Sequence, residues 1–399
     1  MLTRRSQGNA VVETQNGARD APLNNGALRI WRVYVMPVTA FQSVMIGGGY
    51  ATGREIVQYF TRYGLLGGAL GLAFVGISFA VLLSVSFEFA RVYRAYDYRR
   101  FIRGLLGRGW IAFEILYLMM FALVLAIIAA AARSVVEQYF HLPGIAGMAG
   151  LLFLIVLLAF YGRTWVTRIL ALKSVFLSIV FLAYFVIISR RAGGHIVAEF
   201  AHFDVGRGWI VGALRYTLYA SVVIPAMLFA TSEIKTRREA VIAGVLSATV
   251  GIIPGALLHL SFGVGYPAVL RQAIPAYWMI TNLGLPVLTA SYIVVLLGSL
   301  LDTGLCFVQS VNERVDGWLA EQGRRPITRS TRGGIAILCV VISGGLSAFG
   351  VIDLVAKGYG TMAWGFLALY VGPLMTVGMY RLVRSTGKPV VTLEGSDVS

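Results

Sequence analysis

Val44-Met45-Ile46-Gly47-Gly48-Gly49-Tyr50-Ala51-Thr52-Gly53-Arg54-Glu55 occupies the middle of the first long apolar run of the chain, residues 33–61. Each glycine inside a helix costs about 1 kcal/mol relative to alanine. Three adjacent glycines do not share one helix face, so close packing of the Gly-xxx-Gly kind does not require them. The charged pair Arg54-Glu55 follows at a depth unsuited to a lipid-facing surface. The stretch therefore predicts a helix broken in mid-membrane, presenting free amides and carbonyls. Such backbone is tolerated there only when protein buries it or it lines a wet cavity. Gly67, Gly68 and Gly71 of the next run read instead as packing glycines.

The composition sets the membrane context. The 399 residues are 58% hydrophobic and 13% charged, with a mean hydropathy of +0.77, whereas soluble domains are about a quarter charged. A bilayer-crossing helix needs about 20 apolar residues. Ten runs qualify or come close: 33–61, 65–93, 110–136, 145–161, 164–188, 209–232, 237–261, 285–311, 331–351 and 353–380. The expected fold class is an all-α integral membrane protein of about ten transmembrane helices. Its transmembrane domain covers 31–384, between polar tails at 1–30 and 385–399 that read as disordered and cytoplasmic. The first 29 residues contain no apolar core of a signal peptide.

Charge orients the spans. With ten spans, Arg54, Arg62, Arg133, Arg190, Arg191, Arg207, Arg215, Arg271 and Lys357 fall on one side, and the other 25 of the 34 basic residues fall on the side of both tails. Basic residues collect in cytoplasmic loops, so both termini are expected in the cytoplasm, and the protein in a bacterial inner membrane. An odd number of spans would scramble this segregation. Trp31, Trp110, Trp165 and Trp209 open spans at headgroup depth. The net charge of +16 thus serves orientation, and no basic face with base-reading motifs suggests a nucleic-acid partner. The expected partners are a small-molecule solute and the lipid bilayer. Cys306 and Cys339 lie inside apolar runs, which suggests neither a disulfide framework nor a metal knuckle.

A second interruption is expected five spans after the first, in Tyr216-Thr217-Leu218-Tyr219-Ala220-Ser221-Val222-Val223-Ile224-Pro225. A mid-helix proline removes a hydrogen bond and crowds the preceding turn. Interrupted helices at equivalent places in two halves point to a transporter site. The halves are residues 33–188 and 209–380, and because five is odd the second is inverted relative to the first. Half-helix N-termini offer positive dipole ends to anionic groups, and C-termini with loose carbonyls can hold a cation.

Ile46-Gly47-Gly48-Gly49-Tyr50-Ala51-Thr52-Gly53-Arg54-Glu55-Ile56 resembles the glycine-rich first-helix signature of the YkvI-like bacterial membrane proteins, and Asn312-Glu313-Arg314 is similar to a motif of the same family. More loosely, the first stretch is similar to the Gly-Ser-Gly motif of amino acid/polyamine/organocation transporters. The resemblance implies the LeuT fold, with helices 1 and 6 discontinuous and substrate held between spans 1, 3, 6 and 8. Gly48 stands where the broader family often has serine, which keeps backbone donors for a carboxylate ligand and removes a hydroxyl. Candidate substrate-binding residues are Ile46, Gly47, Gly48, Gly49, Tyr50, Tyr117, Tyr219, Ser221 and Pro225. Tyr117 has ordinary packing as its alternative; Glu114 is the other span-3 residue considered.

Ionisable groups inside a membrane are costly and mark function by default. The resemblance suggests that Lys173 of span 5 takes a cation's place near Ser299, Asp302 and Thr303 of span 8 and carries a coupling proton. A structural ion pair, or a lysine reaching the headgroups, is the alternative reading. It also suggests Arg54 and Asp353 as an outer gate, although Asp353 has Lys357 one turn on. His195, Glu199 and His202 share the spacing of one helix face, but a solvated loop helix accounts for them and no metal is expected. His259 reads as a satisfied interhelical residue.

No dinucleotide fingerprint, nucleophile elbow, metalloprotease helix or P-loop occurs, so neither an enzyme nor a self-contained ATP-driven pump is expected, and no cofactor beyond a coupling H+ or Na+. The sequence reads as a secondary active transporter for an amino acid or related amine or osmolyte. A channel or uniporter, and a non-transporting sensor on the same fold, are the alternatives.

Overall fold

A computed structural model describes residues 25–161, 176–177, 179–194 and 205–385, and every regular element among them is helical. Leu65–Tyr93 shows why: 29 residues of mixed large and small apolar side chains, without proline, run uninterrupted. At 1.5 Å per residue this helix is about 44 Å long, more than the roughly 30 Å hydrocarbon core. Six described helices are long and apolar enough to cross a membrane: Leu65–Tyr93, Tyr98–Tyr139, Trp209–Thr231, Arg237–Gly263, Pro286–Ala320 and Arg329–Arg384. The chain is a multi-pass membrane protein.

Six rather than ten has physical reasons. The first span is cut into pieces too short to qualify, and the fourth, Gly144–Tyr161, is only 18 residues long. The ninth and tenth spans run together as one apolar stretch, separated at Gly350, whose φ of +76° breaks the helix. Most of the N-terminal half of the fifth span lies outside the described residues. Two boundaries differ from the sequence reading. Helix begins at Asn25, inside the expected 1–30 tail, and the eighth span continues to Glu321 rather than 311.

The helices pack in two groups. Leu65–Tyr93 runs along Arg237–Gly263 and against Trp209–Ala220, and Arg237–Gly263 also holds Met36–Met45. In the second group Trp110–Tyr139 packs on Gly144–Tyr161, Pro286–Glu321 and Arg329–Leu346. Small residues permit the tight approaches. A Cβ on Gly68 would lie 2.2 Å from the His259 ring, and one on Gly244 2.6 Å from the backbone of Ser84. His259 is fully buried, with Nδ1 3.0 Å from the Thr61 hydroxyl and Nε2 2.8 Å from the Leu65 carbonyl, so both ring nitrogens are partnered. The one-turn helix Gly48–Ala51 lies on the seam, touching Pro286–Glu321 and Trp110–Tyr139 of the second group while its Tyr50 hydroxyl packs against Gly255 of the first.

Candidate solute site at the broken first helix

The first span breaks twice. The helix ending at Met45 stops because Ile46 leaves helical geometry (ψ 66°) and Gly47 is extended (φ −85°, ψ −179°). Among the described residues no backbone bond joins the amides of 47–49 back to the carbonyls of 43–45. Instead the Gly48 amide donates to the Thr303 hydroxyl of the eighth span at 2.8 Å. A Cβ on Gly48 would lie 2.9 Å from a Leu300 methyl and 3.1 Å from both its Cα and an Ile128 methyl, so glycine is what lets the two chains meet.

The second break, at Thr52-Gly53, is closed by its own atoms. The Thr52 hydroxyl donates to the Gly49 carbonyl at 2.6 Å and accepts the Arg54 amide at 3.1 Å, and the Thr52 carbonyl accepts the Ala276 amide. Gly53 is left-handed (φ +76°), with Phe262 2.6 Å from a Cβ position. Backbone polarity thus remains open only at the first break.

The sixth span is interrupted at Ser221-Val222, between Trp209–Ala220 and Val223–Met227. Pro225 cannot donate to the Ser221 carbonyl, and the Ile224 amide donates there instead at 3.0 Å. The tenth span winds as a π-helix over Leu354–Tyr359, a form associated with functional sites. Tyr359 stacks on Tyr219, with centroids 4.5 Å apart and planes 19° off parallel.

Between the two helix groups lies a cavity of about 320 Å³. The first span supplies Ser43 to Tyr50 and Glu55, and the third supplies Tyr117, Met120, Phe121 and Val124. From the sixth come Tyr216, Tyr219, Ala220, Val222 and Val223, from the eighth Asp302, Thr303, Cys306 and Phe307, and from the tenth Tyr359. Glu55 is only 8% exposed and accepts a hydrogen bond from the Tyr219 hydroxyl at 2.8 Å. A Cβ on Gly49 would fall 2.4 Å from its other oxygen, so Gly49 makes room for the carboxylate.

Of the residues singled out from sequence, Ile46, Gly47, Gly48, Gly49, Tyr50, Tyr117, Tyr219, Asp302 and Thr303 line this cavity. Ser221 and Pro225 do not. The Ser221 hydroxyl is spent on the Leu218 carbonyl at 2.6 Å, and Pro225 is buried in the turn behind the break. Ser299 lies off the cavity, buried, with no hydrogen-bond partner for its hydroxyl among the described residues. Lys173, and likewise His195, Glu199 and His202, fall outside the described residues.

The structure does not pair Arg54 with Asp353. Arg54 is 4% exposed and donates to the Leu270 and Gln272 carbonyls, at 2.8 and 3.1 Å, and to the Gln58 amide oxygen. It ties the first span to the short helix Ala268–Arg271. Asp353 is solvent-exposed and pairs with Lys357 at 3.1 Å. A cation next to unpaired carbonyls satisfies them in place, whereas a helical neighbour four residues on captures an exposed carboxylate.

Glu55, Tyr216 and Tyr359 join the cavity although sequence reading had not placed them there; the signal for Glu55 was a carboxyl in mid-span. Glu114 is not in the wall. Its carboxylate accepts from the Tyr98 hydroxyl and lies 2.6 Å from Arg314 Nε, an ion pair by distance without the alignment of a hydrogen bond. The Arg314 guanidinium lies over the rings of Tyr117 (4.4 Å), Tyr98 (4.8 Å) and Phe121 (5.0 Å). Tyr117 and Phe121 form cavity wall, so this ion pair, a candidate latch, backs the wall near the start of the third span and the end of the eighth.

No protein-family model matches the chain, and no curated protein matches it. Among solved structures, the Eremococcus coleocola manganese transporter in complex with an aromatic bis-isothiourea substituted compound aligns at 12% identity and a TM-score of 0.44, covering 92% of this chain and 74% of that one. Two mutants of the same transporter align at 14% and 16% identity, with TM-scores of 0.45 and 0.46 and coverages of 92% and 75%.

Proposed function

We propose that this chain is a secondary active transporter that moves a small organic solute across a bacterial inner membrane by alternating access. The observation that carries the reading is the cavity at the first break. Open backbone, two carboxyl side chains and a wall of aromatic rings converge there from five helices, between two packed groups. The grouping supports a ten-span inverted repeat. First and second spans pack with sixth and seventh, and third and fourth with eighth and ninth, so each group draws equivalent spans from both halves. The glycine signature supports a place near the YkvI-like proteins and the LeuT-fold transporters. Segregation of basic residues supports cytoplasmic termini, which puts the Arg314–Glu114 latch on the cytoplasmic side.

In this cycle solute enters the cavity, the groups rock, and the latch opens to release it. A proton or sodium ion supplies the driving gradient. The test is uptake into proteoliposomes of a labelled panel of amino acids, amines and osmolytes, with proton and sodium gradients imposed separately. Saturable uptake dependent on one gradient supports the reading. Ohmic current steps would identify a channel, and solute binding without flux a sensor.

A further inference from the structure

The cavity's chemistry bears on the charge of its ligand, and we infer that the site takes a small organic cation, an amine or quaternary ammonium, held by Glu55 beside an aromatic wall. The inference rests on the transporter reading only for the fate of the ligand, not for its binding.

Glu55 is nine-tenths buried, and among the described residues its one hydrogen bond comes from Tyr219 and no cation pairs with it. Its neighbour Arg54 is turned away and committed to carbonyls. A carboxylate taken out of water without a cation is several kcal/mol out of balance, so it is stable only with a positive partner or a proton. The cavity is where such a partner would sit.

Three further features have the same sign. Asp302 supplies a second carboxyl to the wall. The helix ending at Met45 directs its C-terminal, negative dipole end and its unbonded last carbonyls at the cavity, and Trp209–Ala220 ends on it too. Tyr219, Tyr359 and Tyr117 border the cavity, Tyr219 and Tyr359 stacked on each other and Tyr117 covered on one side by Arg314, so that what they offer an ammonium group is the remaining aromatic surface. The amide best placed for a carboxylate, that of Gly48, is already donated to Thr303. No described lysine, arginine or histidine lines the cavity; Arg314 stands behind Tyr117 and Phe121, occupied by Glu114. A zwitterion would place its carboxylate against this field with no counter-charge from the described residues. A volume of about 320 Å³ lies at the small end of ligand pockets, fitting a headgroup with a short chain.

The test is thermal stabilisation of the full chain in nanodiscs by choline and butylamine, set against 3,3-dimethylbutanol (the neutral isostere of choline), glycine betaine and manganese chloride. Choline or butylamine should stabilise saturably, with half-saturation roughly tenfold or more below that of the isostere and of betaine. Glu55→Gln should erase that preference. The comparison within the unmodified protein remains decisive if the variant does not fold. Equal effects of choline and its isostere, stabilisation by betaine or manganese alone, or none by either cation would overturn the inference. Cation binding without flux would leave it standing and remove the transporter reading. Flux of a neutral or zwitterionic solute that choline does not inhibit would do the reverse.

Discussion

The Gly48 amide and the Thr303 hydroxyl, 255 positions apart in sequence, are joined by a 2.8 Å hydrogen bond that seats the broken first helix on the eighth span. That bond lies at the seam between the two helix groups. Thr303→Val keeps the shape and removes the acceptor, leaving a part-buried amide unpaired. It should cost about 1–3 kcal/mol, whereas Thr303→Ser should restore most of it. Urea unfolding in detergent measures both; equal stability of the valine and wild-type proteins would show that the bond does not seat the helix.

The adjacent glycines are not equivalent. A Cβ on Gly48 would crowd Leu300 and Ile128, whereas one on Gly47 would meet only the Thr303 side chain at an ordinary 3.6 Å. Gly48→Ala is expected to destabilise by about 1–3 kcal/mol through overpacking. Gly47→Ala should be tolerated, staying within about 1 kcal/mol of wild type. Matched thermal melts with the order reversed would contradict this geometry.

At the other end of the first span, Arg54 should matter far more than Asp353. Arg54→Met strips three acceptors of a charged donor and should cost about 2–4 kcal/mol, because the loss of hydrogen bonds of about 1.5–3 kcal/mol each is partly offset by no longer burying the charge. Asp353→Asn breaks only an exposed helical pair and should change stability by less than about 0.5 kcal/mol. A double-mutant cycle with coupling above about 1 kcal/mol would reinstate the gate pairing expected from sequence.

The Arg314–Glu114 latch can be read through Cys306, an exposed side chain in the cavity wall. In a Cys339→Ser background, Glu114→Gln should weaken the ion pair and speed maleimide labelling of Cys306 from the cytoplasmic face by roughly tenfold. An unchanged rate would mean that the latch does not limit entry.

The break itself was legible in sequence because its cause is local: consecutive glycines cannot be explained by helix packing, and they lie where the helix stops. Proline misled by a few residues. Pro225 marks the interrupted turn, but the consequence falls on the Ser221 carbonyl, and the residues facing the cavity are Tyr219, Ala220, Val222 and Val223. Partners of charges were the least legible. A buried arginine or glutamate announces that it needs one, yet Arg54 finds carbonyls more than 200 positions away and Glu114 finds Arg314 at a similar separation. Charge spacing along one helix cannot supply these pairings, which tertiary packing sets.

The most direct measurement is the accessibility of Cys306 to an impermeant maleimide from each face of the membrane, in right-side-out and inside-out vesicles of the Cys339→Ser protein. Alternating access predicts labelling from both faces in competition, so that Arg314→Ala raises the rate from the cytoplasmic face and lowers it from the outer face. Rates that rise together from both faces would mean a continuous pore, and would contradict the account.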